Sequence, residues 1–188
     1  MTFDSSITEV LAALSASAAA GIRIALPLLT VGLLQESKLW IDVPLLSSIP
    51  TAVVFGVLTS WSLIELFASK MLLGQRLLQV LQLVFSPIVG AIIGIAVSRN
   101  VESPSWLIAL VGGLLAFVLQ SVQVGWFYRW RSLPLWVVFI QDALSVTLVF
   151  LAINAPQQGG LIALILLFLA VRSSNELYRW YKQGKSKN

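Results

Sequence analysis

The chain has 188 residues, 58% hydrophobic and only 11% charged, with a formal net charge of +4. Water-soluble domains carry about 25% charged residues, so this sequence lacks the polar surface a water-facing exterior needs. It reads as one all-α integral membrane domain, in keeping with a mean hydropathy of +0.91.

Asp4 and Glu9 sit where a secretory signal needs basic residues, and no short apolar core ends in a cleavage site. The first hydrophobic segment is therefore expected to stay in the protein. Cysteine and histidine are both absent, which removes thiolate chemistry and the commonest proton shuttle and metal ligand. The basic residues cluster beside hydrophobic segments, so nucleic acid is not an expected partner. The lipid bilayer is.

A spanning helix needs about 20 apolar residues. Six segments qualify, at about 10–34, 48–68, 77–97, 105–127, 133–153 and 159–180, with a short basic tail over 181–188. SRNVESPS (98–105) reads as a polar turn in which Pro104 opens the next helix, and NAPQQGG (154–160) as a loop. The last apolar core is short and is expected to continue as a helix through Arg172, whose side chain can snorkel.

Six crossings put both termini on one side. That side receives Lys70, Arg76, Arg129, Arg131, Arg172, Arg179, Lys182, Lys185 and Lys187, and the other only Lys38 and Arg99. Lys and Arg favour the cytoplasmic face, so both termini are expected to be cytoplasmic, in a bacterial inner membrane or a thylakoid-type membrane. Trp40, Trp106, Trp126, Trp130, Trp136 and Trp180 fall near span ends, where indoles prefer to lie, and Trp61 lies deeper.

Within the spans three ionisable side chains stand out, Arg23, Glu65 and Asp142. Insertion of one charge at a helix centre costs roughly 2.5 to 3.5 kcal/mol. Arg23 and Asp142 lie at matching depth, which predicts that they pair, either as a static bridge fixing helix register or on a solute or ion path. Glu65 is placed to reach water, Lys70 or Arg76. Gly21 and Pro27 flank Arg23, so a break in the first span there is also open. Gln79, Gln82, Gln120, Ser121, Gln123 and Gln141 add neutral polarity, as interhelical hydrogen-bonding groups or as the lining of a path.

Ala13, Ser17 and Gly21 repeat every fourth residue, and Gly90 and Gly94 form a GxxxG. Both patterns bring helix backbones together. Pro87 is expected to kink its helix. No nucleophile–base pairing, phosphate loop or dinucleotide fingerprint is present, so no enzymatic activity, cofactor or metal is expected.

The stretches SASAAAGIRIALPLL, ELFASKMLLGQRLLQVLQLVFSPIVGAIIG and LPLWVVFIQDALSVTLVFLAINAP resemble a family of small bacterial and plastid-type membrane proteins. It is catalogued as domain of unknown function 4126. The family's Gly-Leu-Arg is matched by Gly21, Ile22 and Arg23, its later positions by Glu65, Lys70, Pro87 and Gly90, and its Glu-Asp pair by Gln141 and Asp142. Ser69, Gln75 and Gln79 stand where the family carries acids, and Ser86 where it carries an arginine. The resemblance implies a six-span membrane protein. If those acids form an ion site, this member keeps Glu65 and Asp142.

Each half of the chain has an acid-bearing middle span, which suggests a 3+3 inverted repeat. Two functions follow. One is a small permease or channel-like protein for a solute or ion, with Arg23, Asp142 and Glu65 on its path. The other is a non-catalytic scaffold or assembly partner, presenting the small-residue face of the first span and the basic tail to a larger complex. Either role suits homo-oligomers or partner proteins, since 188 residues make a thin-walled bundle.

Overall fold

The computed structural model describes residues 2–34, 50–68, 72–98, 104–130 and 134–185. They form seven helices: α1 (Thr2–Ile22), α2 (Ala25–Leu34), α3 (Thr51–Ala68), α4 (Leu72–Val97), α5 (Ser105–Trp130), α6 (Leu135–Asn154) and α7 (Pro156–Lys185). The expectations placed on Lys38, Trp40, Ser69, Lys70, Arg99, Arg131 and Lys187 lie outside the described residues.

Prolines set several helix starts. The carbonyls of Pro50, Pro104 and Pro134 accept from the N–H groups of Val53, Leu107 and Val137 at 2.9, 2.9 and 3.0 Å. Proline suits this place because its missing N–H would find no intrahelical partner anyway. Pro156 stands at the first position of α7 for the same reason. The loop expected over 154–160 thus shrinks to Ala155, between the end of α6 and the start of α7. At its other end α7 runs unbroken through Arg172, as the sequence suggests.

Among the described residues, four helices are long and apolar enough to cross a membrane: Gly74–Val97, Ser105–Arg129, Trp136–Asn154 and Pro156–Glu176. They expose large apolar side chains outward, among them Val84, Ile88, Leu114, Phe139, Phe168 and Leu169. So many exposed apolar side chains on the outer faces suit lipid rather than water. Trp106 and Trp136 lie exposed beside helix starts, as interfacial indoles do.

At the centre of these four helices lies α1. Ala12, Ala13 and every residue from Ser15 to Ala25 are buried, and α1 packs against α4, α5, α6 and α7. A helix buried on every side needs small residues all round rather than one apolar stripe, and LAALSASAAAG supplies them. Ser17 donates to the carbonyl of Gly90 at 2.9 Å, and a Cβ on Gly112 would meet the same hydroxyl. The two small-residue patterns read from the sequence thus pack on each other, with α5 closing the contact.

The direction of α1 follows from its partners. Ser15 donates to Leu148 O at 2.7 Å and Arg23 meets Asp142, so α1 runs antiparallel to α6. Ser17 bonds Gly90 while Ala20 accepts from Ser86, so it runs antiparallel to α4 as well. It runs parallel to α5, since Ser17 abuts Gly112 and Gly21 abuts Ala116. Near its start, Leu11 touches Gly160 and Thr8 shares a pocket with Pro156 and Gln157, which makes it parallel to α7.

These directions correct two expectations. Six complete crossings would place the start of α1 and the end of α7 together, but they lie at opposite ends of the bundle. The physical reason is that segment 10–34 is not one lipid-facing span. It is a buried helix, α1, and a ten-residue helix, α2, separated at Arg23 and Ile24. The inverted repeat gains no support either, because it would require α1 and α5 to run opposite ways.

Beyond the break, α2 packs against α3 and α6, and α3 sits at the margin of the bundle. The apolar stretch of α3, Ala52–Glu65, falls short of the length of a straight crossing. Pro87 lies within α4, which stays helical around it.

Candidate functional site

The end of α1 frees carbonyl groups that no further helical turn can satisfy. Two are met by side chains from neighbouring helices: Ser86 donates to Ala20 O at 3.2 Å and Gln123 to Gly21 O at 3.2 Å. Ser86 also reaches Ala116 O at 3.2 Å, tying α1, α4 and α5 at one point. Irregular backbone at membrane depth persists only where such partners bury it. Pro27 falls in the first turn of α2, where its missing N–H disturbs nothing.

Arg23 occupies the break. Its Nε lies 2.7 Å from Asp142 Oδ1 on α6, with the side chains 7% and 19% exposed. Nε has no aligned hydrogen-bond acceptor, so the contact is an ion pair by distance rather than a directed bond.

Glu65 arrives from α3 and is 3% exposed. Its Oε1 accepts from Trp61 Nε1 and from Gln82 Nε2, each at 3.2 Å. The expected contacts of Glu65 with water or Arg76 give way to these buried ones. The first residue of α2, Ala25, turns its backbone N–H toward the same carboxyl, though Oε2 is left without a hydrogen-bond partner.

The glutamines extend this centre. Gln120 donates to Gln79 Oε1 at 3.2 Å and to Gln82 Oε1 at 3.4 Å, linking α5 to α4. Gln141 on α6 donates to Gln123 on α5 at 3.3 Å. One connected set therefore runs Trp61, Glu65, Gln82, Gln120, Gln79, and a second runs Gln141, Gln123, Gly21. Arg23, Glu65, Asp142, Gln120, Gln123 and Gln141 all fall in this region.

Space lies on both sides of Arg23. A pocket of about 220 Å³ is bounded by Arg23, Leu26, Leu29, Thr59, Ser62, Leu63, Glu65 and Asp142. Opposite it is a void of only about 10 Å³ among Arg23, Gln75, Gln79, Gln82 and Gln141. The larger space has room for several waters, and the smaller for about one. Gln75 and Gln79 are two of the positions where the family resemblance places acids, and both border Arg23 here.

Two contributors were less visible in the sequence. Ser62 is an ordinary residue in an apolar run, and its hydroxyl is buried without a partner at the pocket wall. Trp61 stood out only for its depth, and four-residue spacing to Glu65 is the signal that relates them. Among the described residues no group of three or more acidic residues could hold a metal ion.

At the basic end of the bundle, Trp126 Nε1 donates to Ser173 Oγ, and Arg129 stacks over the Trp126 ring at 4.8 Å. The first of these contacts joins α5 to α7.

Apolar helices packed round a buried polar centre define a helical protein of the lipid bilayer. The profile of the family described as Domain of unknown function (DUF4126) matches residues 10–176, nearly the whole chain, and the chain belongs to that family. No curated protein and no solved structure matches it.

Proposed function

We propose that this chain is a small permease-like protein, carrying a small solute or ion past Arg23. The observation that carries the proposal is the pocket of about 220 Å³ that ends on an arginine and two carboxyl groups within an otherwise apolar bundle. Burying three ionisable groups among apolar helices is costly, and a bridge meant only to fix register needs two of them and no space. A broken helix at the polar site is a recurring device of transporters, where the helix ends face the cargo. The near-closed glutamine cluster beyond Arg23 supplies the second part of the path and the barrier across it.

The basic end of the bundle, with Arg76, Arg129, Arg172 and Arg179, faces the cytoplasm in this proposal. The start of α1, with Glu9, then faces the opposite side. The scaffold alternative relied on the small-residue face of α1 and on the basic tail, and the first of these is buried within the chain itself. That loss favours transport.

The test is stopped-flow swelling of proteoliposomes in an isosmotic series of small neutral, anionic and cationic solutes. At least one solute should enter faster than into protein-free vesicles. The Arg23→Gln/Asp142→Asn double variant should fold and lose that flux. Equal flux through wild type and double variant refutes the path.

A further inference from the structure

Charge counting in the pocket leaves one group unanswered. Arg23 is matched by Asp142 at 2.7 Å. Glu65 makes no ion pair among the described residues, is 3% exposed, and has one oxygen, Oε2, with no hydrogen-bond partner. Beside it in the same pocket, Ser62 Oγ is also buried and unpartnered. The remaining boundary is largely leucine, from Leu26, Leu29 and Leu63.

An unsatisfied buried acceptor costs about 1–3 kcal/mol, and more when charged. Glu65 and Ser62 both bound this one pocket, and a ligand that donates hydrogen bonds answers both, the serine hydroxyl accepting as well as donating. The pocket sets two carboxyl groups against one arginine, an excess that calls for positive charge, and its leucines call for a hydrocarbon part. A hard metal cation prefers an all-oxygen surround, whereas Leu26, Leu29 and Leu63 form much of this boundary. A quaternary ammonium has no N–H to give. We propose that the pocket binds a small primary alkylammonium ion, its N–H groups on Glu65 Oε2 and Ser62 Oγ and its alkyl chain against Leu26, Leu29 and Leu63. The space is below the roughly 300–1,000 Å³ of drug-sized sites, so the chain is short.

The inference rests on the transport proposal for its purpose but not for its test, which reads binding alone. The full chain in detergent is titrated calorimetrically with n-butylammonium chloride, with n-butanol as the uncharged analogue of similar shape. Butylammonium should bind saturably, and butanol at least tenfold more weakly. Glu65→Gln should weaken the amine at least tenfold and Ser62→Ala a few-fold. Leu29→Trp, which fills the pocket and leaves Glu65 in place, should abolish binding and serves if Glu65→Gln fails to fold. Equal binding of butanol, or undiminished binding by Glu65→Gln or Leu29→Trp, overturns the assignment.

Absence of butylammonium binding overturns it too. Persistent solute flux in that case leaves the transport proposal standing. Amine binding without flux of any solute removes transport and keeps the site. A primary ammonium can arrive on a soluble amine or on an aminolipid headgroup. Competition by phosphatidylethanolamine in bicelles identifies the lipid, and its failure to compete the soluble amine.

Discussion

Arg23 Nε and Asp142 Oδ1 stand 2.7 Å apart across the point where α1 gives way to α2. The pair ties the end of α1, buried from Ser15 onward, to α6, which has an apolar outer face, at the depth where Gln123 enters from α5. Its surroundings are asymmetric. Asp142 has Arg23 as its one opposite charge, whereas Arg23 also feels Glu65 across the pocket.

That asymmetry predicts unequal single variants. Arg23→Gln leaves two carboxyl groups without a cation and should destabilise by about 3–5 kcal/mol, the usual loss when one partner of a buried pair is removed. Asp142→Asn leaves Arg23 with Glu65 nearby and should cost less. The double variant should recover part of the loss, because one carboxyl group rather than two is then left without a cation. Thermal melts of the three variants in one detergent close this cycle. Single losses that simply add in the double variant would show that the two groups do not interact.

Glycine substitutions should separate the crowded core from the open margin. A Cβ at Gly112 would lie 2.9 Å from Gly90 O and would also crowd Ser17 Oγ. Gly112→Ala should therefore cost about 1–3 kcal/mol, as overpacking does. Gly56 lies within α3 with nothing within 4 Å of an added Cβ. There alanine should stabilise by about 0.5–1 kcal/mol through helix propensity. Opposite shifts in melting temperature are expected, and a matching shift at both sites would contradict this packing.

Much of the polar centre was legible beforehand, because charged and amide side chains are expensive in apolar helices and gather where they can satisfy one another. Arg23, Asp142 and the glutamines are conspicuous in the sequence for that reason. Their grouping needed no knowledge of the topology. The topology was less legible, for a physical reason as well. Ala18–Ala20 and Leu28–Leu29 are both apolar, and hydropathy does not distinguish a helix surrounded by protein from one surrounded by lipid. The distinction lies in side-chain size: Ala16, Ser17 and Ala20 can be enclosed on every side, whereas outward-facing side chains such as Ile165, Phe168 and Leu169 are bulky. The pairing of Glu65 with Gln82 depends on how α3 leans on α4, which no local pattern encodes.

Ser86 gives a sharper test of the break in segment 10–34. Its hydroxyl serves Ala20 O and Ala116 O at once, and Ala20 is in the last turn of α1. Ser86→Ala should leave a buried carbonyl short of a donor and cost about 1–3 kcal/mol. Ser121 bonds only Phe117 O, within its own helix, so Ser121→Ala should change stability by less than about 0.5 kcal/mol. Similar melts for the two variants would mean that the carbonyls at the end of α1 find other donors.

The directions of the helices make the strongest prediction about the membrane. The start of α1 lies beside Pro156 and Gln157, whereas Tyr178 lies near the far end of α7. The chain contains no cysteine, so single cysteines can be introduced without background. A membrane-impermeant maleimide applied to intact cells should label Ser6→Cys and Gln157→Cys and spare Tyr178→Cys. On inside-out vesicles the pattern should reverse, since the proposed orientation puts the arginines near Tyr178 in the cytoplasm. Six complete crossings would instead make Ser6→Cys and Tyr178→Cys behave alike. That result would require α1 to run antiparallel to α5, and Ser17 could then not lie against both Gly90 and Gly112 while Gly21 meets Ala116.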